Sequence, residues 1–388
     1  MRIYVKAIKE NFPEGSLPLY ASKALCFKKI YEIANMEGMG VDVVSSGELY
    51  TALKAGFPME KVYFHGNNKT DDDIKFAIEN KIGYFICDNL DELEAIDKTA
   101  AQHNIIQKII LRLTPGIDPH THVKISTGKV DSKFGIAIET GQADEAVKIA
   151  LSKKNIELCG YHCHIGSQTF DIKPFVDGAE IMLKFVAHIK EIFSYEAQIL
   201  NLGGGMGVKY TESDPEIDYA QNIRGIADMM KSKCNELKIN LPIVLMEPGR
   251  SIVADAGMTL YTIGGIKEIP GYKSYISIDG GMTDNPRYAL YEAPYSIAVA
   301  NKANNEAKKI YTIGGRCCES GDLIQENVTL PEAQKGDILA VMTTGAYNYS
   351  MASHYNRIPK PPVVMLNKGE SRVVVKRETF EDLIRNDM

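Results

Sequence analysis

A chain of 388 residues is longer than one ordinary hydrophobic core supports, which predicts one large and one smaller domain. Its 45% hydrophobic and 24% charged residues suit a globular protein, and a net charge of −6 without a long Lys/Arg tract argues against nucleic acid as a partner. No stretch reaches the about 18 uninterrupted apolar residues of a membrane span, the first six residues lack a signal-peptide core, and seven cysteines without a C-x-x-C pair point to reduced thiols in a cytoplasm.

Short apolar runs predict strands at 17–21, 41–44, 62–64, 84–86, 109–113, 158–161, 199–202 and 243–246. Amphipathic helical stretches fall between them, among them 27–36, 71–79, 91–99 and 175–193. Asp71, preceded by Thr70, and Asp91, preceded by Asn89, supply N-cap chemistry for the second and third of these. Eight strands with intervening helices predict a closed (β/α)8 barrel over 1–254, in preference to an open doubly wound sheet. Lys23, Asp42, Ser45, His65, Asp88, Arg112, His162, His164, Gly203 to Gly205 and Glu247 all fall at or just past strand C-termini. That is the face on which such barrels build active sites. From 255 to 388 the texture changes to β-rich runs at 258–263, 274–278, 309–312, 338–341 and 372–375, separated by Gly, Pro and Asn turns. These predict a second, all-β, β-barrel-like domain. Thr379, with Asp382 three residues on, signals a short closing helix.

The segment Tyr161-His162-Cys163-His164-Ile165-Gly166-Ser167-Gln168 ends a buried strand in two imidazoles and a Gly-Ser turn. Alternation places His162 and His164 on one face. Such a strand end serves either a ligand or plain contact with water. Lys23, after Leu19-Tyr20-Ala21-Ser22, is a solvated strand terminus or, if buried in the barrel mouth, an amine of lowered pKa able to attack carbonyls. In Glu247-Pro248-Gly249-Arg250, glycine allows close backbone approach and arginine offers two donors to an oxyanion. Gly203-Gly204-Gly205 suits a phosphate, and a flexible turn explains it equally well. Lysine, histidine, glycine loop and carboxylate on one barrel face together describe a pyridoxal 5′-phosphate site.

The strings Y-A-S-K-A, H-C-H-I-G-S-Q, G-G-G, E-P-G-R, C-E-S-G-D and G-A-Y-N, in this order from Leu17 to Asn356, resemble the fold-type III pyridoxal-phosphate decarboxylases. Within that group they are similar to the diaminopimelate decarboxylases, as is the segment from His120-Thr121-His122 through Thr127-Gly128 to Asp131-Ser132-Lys133-Phe134-Gly135. The resemblance implies a lyase that converts meso-2,6-diaminopimelate to L-lysine and carbon dioxide. Lys23 would carry the cofactor, His164 would stack on its ring, and Glu247 would keep the ring nitrogen protonated. Asp42 would lie near Lys23. The phosphate would be held by Ser167, Gly203, Gly204 and Gly205, with Pro248, Gly249, Arg250 and Tyr347. Substrate would meet Arg250, Arg287, Tyr291, Glu319 and Tyr347, and Cys318 would return a proton to the product. Cys318 and Glu319 would cross from the partner subunit of a homodimer.

Two features depart from the family pattern. The chain begins near the first barrel helix, where relatives carry about one more strand, so an edge of the second domain's sheet is expected to lack its neighbour. Tyr288 stands where proline usually follows the arginine. Two rivals remain open at this point. One is an ornithine-, arginine- or carboxynorspermidine-type decarboxylase on the same fold. The other is a metal-dependent hydrolase, in which the His162/His164 pair would bind the ion with His65 and Asp88.

Overall fold

The computed structural model describes residues 1–117 and 131–388. The part of the family-like segment from His120 to Gly128 lies outside them. The chain divides into two compact units, one of Met1–Gly207 with Glu216–Gly249 and one of Val208–Pro215 with Arg250–Met388.

Among the described residues, the first unit holds nine parallel strands: β1 (Leu17–Ala21), β2 (Gly40–Val43), β3 (Val62–Phe64), β4 (Tyr84–Cys87), β5 (Gln107–Thr114), β6 (Ile136–Ala137), β7 (Ile156–His162), β8 (Ile199–Asn201) and β9 (Ile243–Met246). Eight of them pair in the ring β1-β2-β3-β4-β5-β7-β8-β9, and β9 returns to β1 through Leu17↔Leu245 and Pro18↔Met246. The two-residue β6 pairs only with β5. Each expected strand is present, with ends that differ by at most two residues. Helices Lys28–Met36, Asp71–Glu79, Leu90–Gln102 and Lys173–Phe193 stand close to the predicted positions, and Thr70 and Asn89 accept from the backbones of Asp73 and Glu92 as caps. Helix Arg2–Asn11 precedes β1 and meets helix Tyr219–Leu237 through the Tyr4 and Tyr219 rings, 5.4 Å apart.

The ring is filled, not hollow. Leu19, Tyr63, Ile86, Ile110, Cys159, Ile199 and Leu245, one from each of seven strands, form one buried cluster. Side chains two residues apart share a face of a strand, so the positions that follow on the same inward face are Ala21, His65, Asp88, Arg112, Asn201 and Glu247. Apolar packing thus gives way to a polar layer at the strands' C-terminal ends. The seventh strand reaches this layer by a detour. Ile109 pairs with Leu158 and Ile110 with Gly160, so Cys159 is an extra residue, a β-bulge. The bulge moves the inward face from odd to even positions: His162 pairs with Arg112 in the layer, while Tyr161 packs against Phe185 of helix Lys173–Phe193.

The second unit is mostly sheet. Strands β10 (Thr259–Ile269), β11 (Lys273–Ile278), β12 (Ile297–Val299), β13 (Lys309–Gly314), β14 (Leu323–Leu330) and β15 (Ile338–Val341) are ordered β12-β15-β10-β11-β13-β14, so β12 and β14 are the outer strands. Only β11 and β13 run parallel. The first half of β10 pairs with β15 and its second half with β11, with a bulge between Ile263 and Ile266. Strands β16 (Val363–Asn367) and β17 (Glu370–Val375) make a separate hairpin. Helix Phe380–Ile384 follows, and Thr379 and Asp382 close a capping box at its start.

Candidate active site

Glu247, just past β9, is the centre of the polar layer. It is buried, and its Oε1 accepts from Asn201 Nδ2 at 2.7 Å and lies 2.8 Å from His65 Nε2, although that ring N–H is not directed at the oxygen. Its Oε2 lies 3.3 Å from His162 Nε2. Burial alone would push this carboxyl up, but His65 and His162 outweigh it and hold Glu247 well below the usual carboxylate range. Burial pushes His162 down to about 4, so it is a neutral imidazole at pH 7. Asp42 of β2 behaves oppositely: burial, helped by the Glu247 charge, raises its pKa. The layer therefore contains a carboxylate kept charged and a neighbour that resists ionisation.

Asp88 and Arg112 sit on the far side of the layer, 3.7 Å apart, and Asp88 Oδ2 accepts from Gly135 N at 3.1 Å. Beneath them is an ion pair that the sequence does not announce. Lys69 Nζ donates to Glu92 Oε1 at 2.7 Å, to Ile86 O at 2.9 Å and to Gly66 O at 3.0 Å, and Asp88 N donates to Glu92 Oε2 at 3.2 Å. Both side chains are buried. The pair ties the end of β4 to helix Leu90–Gln102 and so fixes the backbone of Asp88.

The triple glycine is required by geometry. Gly203 has φ +67°, and a Cβ there would lie 2.6 Å from Cys163 O; Gly205 has φ +119°. Gly204 N donates to His164 Nδ1 at 3.1 Å. His164 is thus turned toward the glycine loop and His162 toward Glu247, so the two imidazoles do not act as a pair. The donor atoms that do converge, within 4.8 Å, belong to His65, His162 and Glu247. Ser45 caps helix Ser46–Lys54 by accepting from Glu48 N. At Gly249 the place of a Cβ is taken by Ala21 and Ala24, on either side of the Lys23 turn.

Lys23 lies in the single 3-10 turn Ser22–Ala24 after β1 and is exposed, the solvated of the two settings left open by the sequence. The physical reason is the turn, which carries the side chain past the packed layer. Its charge still reaches the site, since it acts on Asp42, Glu48 and His164. Burial pushes Glu48 up to about 7.

The second unit has its own cluster. Arg250 Nη1 donates to Tyr210 Oη at 2.8 Å, and its guanidinium lies over the Tyr347 ring at 4.7 Å. Arg287 stacks over Tyr210 at 4.3 Å and donates to Tyr295 Oη at 2.9 Å. Both arginines are buried, and among the described residues no carboxylate forms an ion pair with Arg287. Tyr347 is held at φ +61°, a strained conformation for a bulky residue. Tyr291 ends the helix Arg287–Tyr291 and is partly buried.

Cys318 and Glu319 are exposed. The turn that carries them hangs on Asp322, which is buried and accepts from Met282 N at 2.6 Å and Cys317 N at 2.7 Å. Cys318 N donates to Asn356 Oδ1 at 2.8 Å. The final aspartate of C-E-S-G-D is thus a brace for the turn. Asn201, Lys69, Glu92, Tyr210 and Tyr295 carry no motif signal. Asn201 alone has a hint, as the polar residue two places before the triple glycine.

Residues 2–254 match the family model "Pyridoxal-dependent decarboxylase, pyridoxal binding domain". A diaminopimelate decarboxylase of Bacillus methanolicus is 48% identical over 97% of this chain and 88% of its own length, and one of Bacillus subtilis is 44% identical over 100% and 89%. The crystal structure of diaminopimelate decarboxylase from M. jannaschii in complex with L-lysine superposes with a TM-score of 0.91 at 36% identity, covering 100% of this chain and 88% of that one.

Proposed function

The chain belongs to the diaminopimelate decarboxylase family of pyridoxal-dependent decarboxylases, and from that premise we propose that it converts meso-2,6-diaminopimelate to L-lysine and carbon dioxide. Its cofactor is pyridoxal 5′-phosphate. The residues present fit that group: a lysine whose charge reaches the polar layer, a glycine turn with no side chain to bar close approach, and a buried carboxylate kept ionised beside buried polar atoms (Asp42 Oδ1, His162 Nδ1) that have no hydrogen-bond partner among the described residues.

When bound, the cofactor supplies an aldehyde for an amine and a ring that accepts the electron pair left on Cα as carbon dioxide departs. The protein's part is to bind, orient and move protons. Lys23 would hold the cofactor through its amine. Glu247 would keep the ring nitrogen protonated; the observation that carries the reading is this carboxylate buried at the centre of the layer, accepting from Asn201 Nδ2 at 2.7 Å and held below the usual carboxylate range by His65 and His162. Asp42, raised by burial, adds little competing charge. His164 would pack against the cofactor. Ser167, Gly203, Gly204, Gly205, Pro248, Gly249, Arg250 and Tyr347 would hold the phosphate. Arg250, Arg287, Tyr291, Glu319 and Tyr347 hold the substrate, with Arg287 taking the distal carboxylate and Glu319 the distal ammonium. Cys318 returns the proton to Cα. Its exposure on a braced turn suits a group offered to a second copy in a homodimer.

The test is carbon dioxide release from meso-diaminopimelate, ornithine and lysine in parallel, followed by borohydride reduction and mass mapping. Turnover of diaminopimelate alone, with the pyridoxyl group on Lys23, is expected. Equal turnover of ornithine, or the group on another lysine, overturns the reading.

A further inference from the structure

We infer that Tyr295 is a positioning residue for substrate choice: it fixes the Arg287 guanidinium so that its free edge takes a carboxylate with two donors. The inference rests on the substrate reading above and deepens it.

Arg287 begins its helix and is buried, yet among the described residues no carboxylate forms an ion pair with it. A buried guanidinium without a fixed counter-ion is costly unless its donors are met and its faces covered. Two tyrosines do this in different ways. Tyr210 lies under the guanidinium, 4.3 Å from ring centroid to Cζ, a cation–π contact that stabilises the charge without using an N–H. Tyr295 takes a single N–H, from Nη1 at 2.9 Å, and leaves the others for an incoming anion.

Tyr295 is itself held rigidly. It is 2% exposed, its N donates to Gln325 Oε1 of β14 at 2.7 Å, and its Oη lies 3.1 Å from Asn285 Oδ1 and 3.2 Å from Asn348 Oδ1. A phenol has one proton, so its O–H donates to one of these two amide oxygens, Asn285 or Asn348, at a time. The ring also meets Tyr210 edge-on at 5.7 Å, which locks the two tyrosines together. Asn285 Nδ2 and Asn348 Nδ2 are buried with no hydrogen-bond partner among the described residues, so polar capacity here exceeds what the fold alone consumes. A guanidinium with one donor tied, one face stacked and no fixed anion is preorganised for a planar, two-oxygen group. An amine-ended substrate such as ornithine gains nothing from it.

Tyr295→Phe keeps the ring and removes the hydroxyl. It is expected to raise KM for meso-diaminopimelate about tenfold, with kcat within about threefold of wild type and unchanged cofactor absorbance. In an Arg287→Ala background the same substitution is expected to add little, because it acts through Arg287. Asn348→Ala, which removes one anchor of the phenol, is expected to raise KM in the same sense and serves if Tyr295→Phe does not fold. An unchanged KM in both variants, a loss confined to kcat, or a full additional effect without Arg287 overturns the inference. If wild-type protein does not turn over diaminopimelate at all, the substrate reading fails instead, so the two failures are distinguishable.

Discussion

Replacing Lys69 by methionine tests whether the site rests on the ion pair beneath it. The ammonium makes three hydrogen bonds, to Glu92 Oε1, Ile86 O and Gly66 O, with side-chain exposures of 1% for Lys69 and 3% for Glu92. Methionine fills a similar volume but leaves the Glu92 carboxylate buried without its cation. Breaking one partner of such a pair costs about 3–5 kcal/mol. For a unit of this size that corresponds to a fall in Tm of roughly 6–20 °C. The cost should depend on pH. Burial already raises the Glu92 pKa in the presence of Lys69, and loss of Lys69 raises it further. A carboxyl whose folded pKa exceeds its unfolded value of about 4.3 stabilises the fold below that value and loses the contribution as pH rises through the folded pKa. The Lys69→Met deficit should therefore be larger at pH 8 than at pH 5. Thermal unfolding followed by circular dichroism at both values, with the double variant Lys69→Met/Glu92→Leu as control, measures it. The double variant should recover much of the loss, since no charge remains buried. A single-variant loss below about 1 kcal/mol, or a double variant no better than the single, refutes the reasoning.

Gly203→Ala should prevent correct closure of the glycine loop, because φ is +67° and the new methyl would lie 2.6 Å from Cys163 O; cofactor absorbance at fixed protein concentration reports it. His162, held neutral with a pKa of about 4, binds fewer protons folded than unfolded between pH 4 and about 6.5, so stability should fall as pH drops through that window. His162→Gln should flatten that part of the Tm–pH curve; an unchanged slope counts against the assignment. Cys318→Ala and Lys23→Ala should each be nearly inactive alone. Mixed after verified subunit exchange, they should return to about a quarter of wild-type activity, since about half the dimers carry one intact site. No recovery rules out a shared site.

The barrel was legible in the sequence because its strands are short β-rich runs and its helices carry caps such as Thr70 and Asn89. Glu247, Asp42 and His164 were legible as polar residues at strand ends. What stayed hidden is cooperative. The bulge at Cys159 inverts the facing of the last residues of β7, and nothing in Leu158-Cys159-Gly160 marks it. Strict alternation would have put Tyr161 inside and left His162 facing the helices. The exposure of Lys23 depends on one 3-10 turn, and residue type alone does not specify a turn of that length. Tyr210 and Tyr295 are ordinary aromatics until the fold brings them to 5.7 Å, and Arg287 gains its setting only from both.

The ring closes between its most distant strands. Leu17 pairs with Leu245, and Ser16 Oγ accepts from Val244 N, 228 residues further along the chain. During synthesis, at about 5–20 residues per second, β1 waits on the order of ten seconds or more for its neighbour, with one flank of the nascent sheet open. Lys23 and Glu247 lie just past the two strands that meet last. Cofactor capture at a site that needs both Lys23 and Glu247 therefore cannot begin before β9 has emerged, and acquisition of colour would report completion of the first unit in a translation time course.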